Sequence, residues 1–127
     1  MSIANAEDFA VGQTWSYKTR IVEPNSVLTV VKIDNLNDNE IIHISLEGVK
    51  VKNSQAASGF GETISHLPIS EEALKNSVTK LLKSNVTLPE YQEGYEIWKE
   101  AYEKGEGGYF SIPVSECVEY MEQTINQ

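Results

Sequence analysis

The sequence predicts an α+β fold: an antiparallel sheet of three to four strands from the first 67 residues, packed by three helices near 70–83, 89–104 and 113–125. Two observations carry this. In the first half apolar residues alternate with polar ones, the period of a half-buried strand, and turn-forming residues separate the runs. In the second half apolar residues recur at helical spacing behind helix-start residues. Strands first and helices afterwards argue helices packed on one antiparallel sheet.

Trp15, Tyr17, Thr19 and Ile21 alternate with polar neighbours and predict the first strand. Glu23-Pro24-Asn25-Ser26 is turn chemistry, because Pro presets φ and Asn and Ser bond their own backbone. Val27–Ile33 is apolar on both faces, as a covered interior strand would be. A polar turn at Asp34–Asn39 leads into a long β segment, Glu40–Lys52. Its phase changes: Ile42, Ile44 and Leu46 are even, Val49 and Val51 odd. Gly48 lies at the change and predicts a bulge or bend. Residues 53–61 are small and polar, a loop, and Glu62–Leu67 is a short fourth strand that Pro68 should end.

Ser70 is a helix N-cap, followed by Glu71 and Glu72 at the positive end of the helix dipole. Leu74, Val78, Leu81 and Leu82 then form a helical face. Thr87-Leu88-Pro89-Glu90 reads as a capping box for the next helix. Tyr91, Tyr95, Trp98 and Tyr102 form one narrow stripe on it, a core-facing pattern, and Gly94 beside the stripe permits close approach of a neighbouring element. Pro113 opens the last helix, whose apolar face is Val114, Cys117, Val118, Met121 and Ile125.

A chain of 127 residues with 40% apolar side chains is the length of one domain, 1–127, with no linker or repeat. Nineteen acidic residues against ten basic give a net charge of −9. That argues against nucleic-acid binding and against an anionic membrane surface, both of which need Lys and Arg. Cys117 is the only cysteine, so no internal disulfide forms, which fits the cytoplasm. Met1–Asp8 has neither the basic nor the apolar region of a secretory leader.

The charge is polarised. Residues 1–89 carry ten acidic and eight basic side chains, net −2; residues 90–127 carry nine glutamates and two lysines, net −7. Glu93, Glu96, Glu100 and Glu103 cluster opposite the aromatic stripe, and Glu116, Glu119 and Glu122 recur every three residues on the last helix. Like charges at i, i+4 repel, so this face is either a solvated surface or one that a basic protein partner would relieve.

Candidate chemistry is sparse. His66 joins a glycine-bearing loop to a helix, with Glu62 four residues before it; His43 sits in a strand opposite Ile42, Ile44 and Leu46. Together they are the residues a small enzyme or small-ligand binder would use for general acid–base work. Two histidines and one cysteine without ligand spacing do not make a metal site, and no cofactor motif is present. Cys117 lies on an apolar face and reads as a small buried hydrophobe.

Gly12-x-x-Trp15-x-Tyr17, His66-Leu67-Pro68, Gly94-Tyr95-x-x-Trp98 and Val114-x-Glu116-x-Val118-x-x-Met121-Glu122 together resemble a family of small, uncharacterised bacterial single-domain proteins. The resemblance implies a stand-alone bacterial domain and no particular reaction. In size, acidity and α+β layout the chain is also similar, as a class, to the immunity proteins of bacterial toxin systems. The leading expectation is therefore a non-enzymatic acidic binding protein that engages a basic partner, possessing no metal or cofactor. The competing expectations are the His66 enzyme and a housekeeping interaction module, one form of which is a homodimer.

Overall fold

The computed structural model describes residues 9–36 and 39–126. The readings of Met1–Asp8 and of Asn37 and Asp38, the middle of the expected Asp34–Asn39 turn, lie outside them; the rest of that turn, Asp34–Leu36 and Asn39, is strand instead. In chain order the elements are β1 (Thr14–Tyr17), β2 (Val27–Leu36), β3 (Asn39–Lys52), β4 (Phe60–Ser70), α1 (Glu71–Ser77), β5 (Val78–Lys83), α2 (Gln92–Glu103) and α3 (Val114–Ile125). The strands form one antiparallel sheet in the order β4-β3-β2-β1-β5. The α+β class holds, with five strands instead of three to four.

The fifth strand comes from the segment expected to finish the first helix. Ser70 caps α1 as anticipated, accepting a hydrogen bond from the Ala73 N–H, but the helix ends at Ser77. Val78–Lys83 then runs extended against β1, with Tyr17 opposite Val78 and Trp15 opposite Leu81. The spacing of Leu74, Val78, Leu81 and Leu82 fits a helix, yet β1 would otherwise expose an unpaired edge, and pairing it satisfies backbone groups on both strands. Leu81 and Leu82 stay exposed.

Three boundaries also moved. β1 stops at Tyr17 because the chain turns away at Arg20–Glu23, and Ile21 is 96% exposed. β4 continues through Pro68, because Pro68 lies on an edge strand with its nitrogen side turned away from β3. Its carbonyl accepts from the Phe110 N–H on that outer edge. The Thr87 capping box does not form: α2 begins at Gln92, and Glu90 Oε1 accepts from the Gln92 N–H instead.

The two sides of β3 bury different partners. Ile42, Ile44 and Leu46, with Leu28, Val30, Leu67 and Ile69, pack on Ala73 and Leu74 of α1 and on Val114, Cys117 and Val118 of α3. Ile41 and His43 face the opposite way, beneath Tyr95 and Trp98 of α2. Thus α1 and α3 cover one face of the sheet and α2 covers part of the other.

The sheet is interrupted where that second face matters. Gly48, at φ +80°, takes up the phase change in β3 and sits in the register shift between Glu47 and Val51. In β2 the register passes from Val30↔Ile44 to Lys32↔His43, leaving Val31 as an extra residue. In β4 it passes from Leu46↔Ile64 to Ile44↔Leu67, so Ser65 and His66 both stand against Ser45. Bulges thus flank His43 and Ser45 on both neighbouring strands, each re-aiming the side chains beyond it.

Candidate functional site

The bulges assemble a polar chain inside the second face. Before Val31 the even residues Leu28 and Val30 point into the larger core; after it the even residue Asp34 points to the α2 side, where His43 lies. His43 Nε2 donates to Asp34 Oδ2 at 3.0 Å, and the Tyr95 hydroxyl donates to the same oxygen at 2.8 Å. On its other side, His43 Nδ1 lies 2.8 Å from His66 Nε2. With Asp34 as a carboxylate the proton positions follow. His43 carries its proton on Nε2, its Nδ1 accepts, and His66 must donate from Nε2. His66 Nδ1 is left with a lone pair and makes no hydrogen bond among the described residues.

Aromatic rings close over this chain. The two imidazoles lie edge to edge and nearly coplanar, their centroids 5.0 Å apart and their planes 21° apart. Tyr95 and Trp98 meet His43 edge-on at 4.9 and 4.6 Å, and Tyr102 stacks on Trp98. The Lys32 ammonium sits over the Tyr95 ring at 5.2 Å. Trp98 Nε1 donates to the Gly108 carbonyl, folding the following loop against the helix. Gly94 allows this close approach: a Cβ there would lie 2.9 Å from His66 Cβ. His43 is fully buried.

Burial dominates the electrostatics. It lowers His43 to about 4 despite the opposing pull of Asp34, and burial followed by the neighbouring His43 lowers His66 to about 4. Burial, then the hydrogen bond to Asp34, raises the Tyr95 hydroxyl. All three are therefore neutral at physiological pH.

The structure joins His43 and His66, which the sequence placed 23 residues apart, but leaves Glu62 out. Glu62 is exposed, lines a cleft with Val22, Pro24 and Lys50, and hydrogen-bonds neither histidine. Asp34 takes the place expected of it. Asp34 and Tyr95 are the partners sequence reasoning missed. Their signal was the second phase break, from Leu28 and Val30 to Ile33, which marks the bulge turning Asp34 round. Neither histidine lines the clefts beside Glu62, Arg20, Phe110, Ile97 or Thr14. A general base needs hydrogen-bond reach to a substrate, and His43 is fully buried beneath α2, whereas His66 is half-buried. Cys117 is fully buried, and burial pushes its thiol up to about 12.

The seven glutamates divide between the two faces. On α2, Glu93, Glu96 and Glu100, with Glu90 and Gln92, line an open cleft of about 730 Å³ around Ile97, which is 68% exposed. Glu103 is exposed on the same helix. On α3, Glu116 is exposed, whereas Glu119 and Glu122 turn to Arg20 at 3.1 and 3.0 Å. Glu122 also accepts from the Lys52 N–H, and Arg20 holds the buried Glu23 at 2.7 Å. One continuous acidic surface across both helices is thus not formed, because the sheet separates them.

No protein-family model matches the chain, and neither does any curated protein or solved structure.

Proposed function

We propose that this protein is a non-enzymatic acidic binding protein that engages a basic protein partner through the outer face of α2, with neutralisation of a bacterial toxin as the concrete version. The observation that carries the reading is Ile97, 68% exposed and ringed by Glu90, Glu93, Glu96 and Glu100. The only ion pair among these glutamates in the described residues is Glu100–Lys104, at 3.2 Å and largely exposed. An apolar anchor inside a charged rim is the layout of an interface, with the rim steering encounter and the anchor supplying desolvation. The burial of His43 and the lack of a hydrogen bond from Glu62 to either histidine among the described residues weigh against the enzyme reading.

The test is binding kinetics against a basic partner recovered from the source cell, across a salt series. The on-rate is expected to fall as ionic strength passes about 0.15 M, where the Debye length is about 8 Å. Substituting Glu93, Glu96 and Glu100 with Gln should lower the on-rate, and Ile97→Ser should raise the off-rate. An on-rate indifferent to both salt and the triple substitution would reduce the acidic face to a solubility feature. For toxin neutralisation, the same variants should lose protection of cells expressing the partner.

A further inference from the structure

We propose that the His43–His66 pair is a pH-sensitive latch: neutral, it holds α2 on the sheet, and protonated, it releases α2 while the opposite core stays folded.

The geometry sets the proton count. The 2.8 Å contact between the rings needs one N–H and one lone pair. The one carboxylate bonded to the pair, Asp34, touches only His43 of the two rings and already accepts from it and from Tyr95. A first added proton goes to the free Nδ1 of His66 and puts a charge on the ring that is hydrogen-bonded to buried His43. A second has only His43 Nδ1 left, which would set N–H against N–H and break the contact. The groups facing the pair do little to offset this. β2 contributes Asp34 and also the Lys32 cation; α2 contributes the neutral Tyr95 and Trp98, with Tyr91 beyond Tyr95. Glu103 reaches only Tyr95 electrostatically.

The anchoring of α2 is concentrated on the same atoms. Tyr95 bonds the acceptor of His43, Trp98 packs on the His43 ring, and Gly94 abuts His66 Cβ. The other face of the sheet holds its own core of Leu28, Ile42, Ile44, Leu74 and Val114, across the sheet from the α2 side where His43 lies. Local opening therefore needs no loss of that core. Both histidines stand near 4 in the fold against about 6.5 in an unfolded chain. The folded, latched form binds fewer protons between those values, so falling pH favours release there.

The latch does not depend on the docking reading, and its test uses no partner, so either can fail alone. Amide hydrogen exchange, corrected for intrinsic rates, is measured on the full chain from pH 7 to pH 4.5. Protection of α2 is expected to fall by about tenfold or more, with that of β2, β3 and α3 within about twofold. In His66→Gln the side-chain amide can donate to His43 Nδ1 without titrating, and the loss of α2 protection should shrink or move to lower pH. Fluorescence of Trp98 in a Trp15→Phe background gives a second readout, since Trp15 belongs to the opposite core. Protection of α2 that is constant over this range, or that falls together with α3, overturns the latch. An unchanged α2 midpoint in a folded His66→Gln protein does so too. If that variant does not fold, the wild-type contrast between α2 and α3 decides.

Discussion

Gly94 is the residue on which the second face closes. Helix propensity alone favours alanine over glycine by about 1 kcal/mol. Here the added Cβ would sit 2.9 Å from His66 Cβ, an atom fixed to the β4 backbone and unable to swing away. Overpacking of this kind costs about 1–3 kcal/mol, so Gly94→Ala is expected to lower stability by about 1 kcal/mol net. The neighbouring exposed Glu93→Ala should stay within about 0.5 kcal/mol of wild type. Urea midpoints of the two variants check this, and a stabilised Gly94→Ala protein would show that α2 does not press on β4. At this scale the sequence was partly legible. The aromatic stripe and Gly94 beside it pointed to close packing, and His66 stood out by its junction position. What could not be read was that His43 and His66 bond each other. That contact depends on a two-residue bulge opposite Ser45 and on cross-strand register, neither of which leaves a local signal.

α1 shows why one helix boundary was readable and the other was not. Its start carries its own chemistry in the Ser70 cap and the acidic first turn. Its end is set by a distant edge, because β1 needs a partner and Val78–Lys83 supplies it. Phase breaks were legible where a glycine marked them, as at Gly48, and missed where a bulge residue was an ordinary Val31. A seven-residue helix is too short to stand on propensity, so its ties decide its stability. Ser77 Oγ donates to the Ala73 carbonyl and accepts from the Val114 N–H, joining α1 to the start of α3 in a buried site. Ser77→Ala leaves that N–H buried without a partner, which costs about 1–3 kcal/mol. Ser70→Ala exchanges a cap for solvent at about 1 kcal/mol. The expected order of thermal stability is wild type, then Ser70→Ala, then Ser77→Ala. The reverse order would mean that the α1–α3 junction is hydrated rather than sealed.

For the whole molecule, two opposed effects compete as pH falls from neutrality. A net charge of −9 repels itself, and protonating carboxylates relieves that, which favours the fold. In an unfolded chain, however, carboxylates take their protons near 4, whereas a histidine takes its proton near 6.5. Between about 6.5 and 4 the unfolded chain binds protons that buried His43 and half-buried His66 refuse, so stability falls with pH at up to about 1.4 kcal/mol per unit for each proton. Glu122 acts in a later window. The Lys52 N–H and the Arg20 guanidinium hold its carboxylate below the usual range, so its contribution is present above about 4.5 and lost as pH drops further. Glu40 works the other way: burial and its hydrogen bond to Glu71 raise it, so the fold gains as pH falls through its raised value. The histidine limb should therefore appear first, between about pH 6.5 and 5, reduced by what Glu40 gains and ahead of the loss at Glu122. Urea unfolding across pH 7 to 3 is expected to show a decline beginning near 6.5 in the wild type. His66→Gln should roughly halve that first limb, because His43 remains, and keep the acid limb, while Glu122→Gln should keep the first and reduce the second. Stability that climbs steadily from pH 7 to 5 would mean that relief of the −9 charge outweighs the cost of charging the histidine pair.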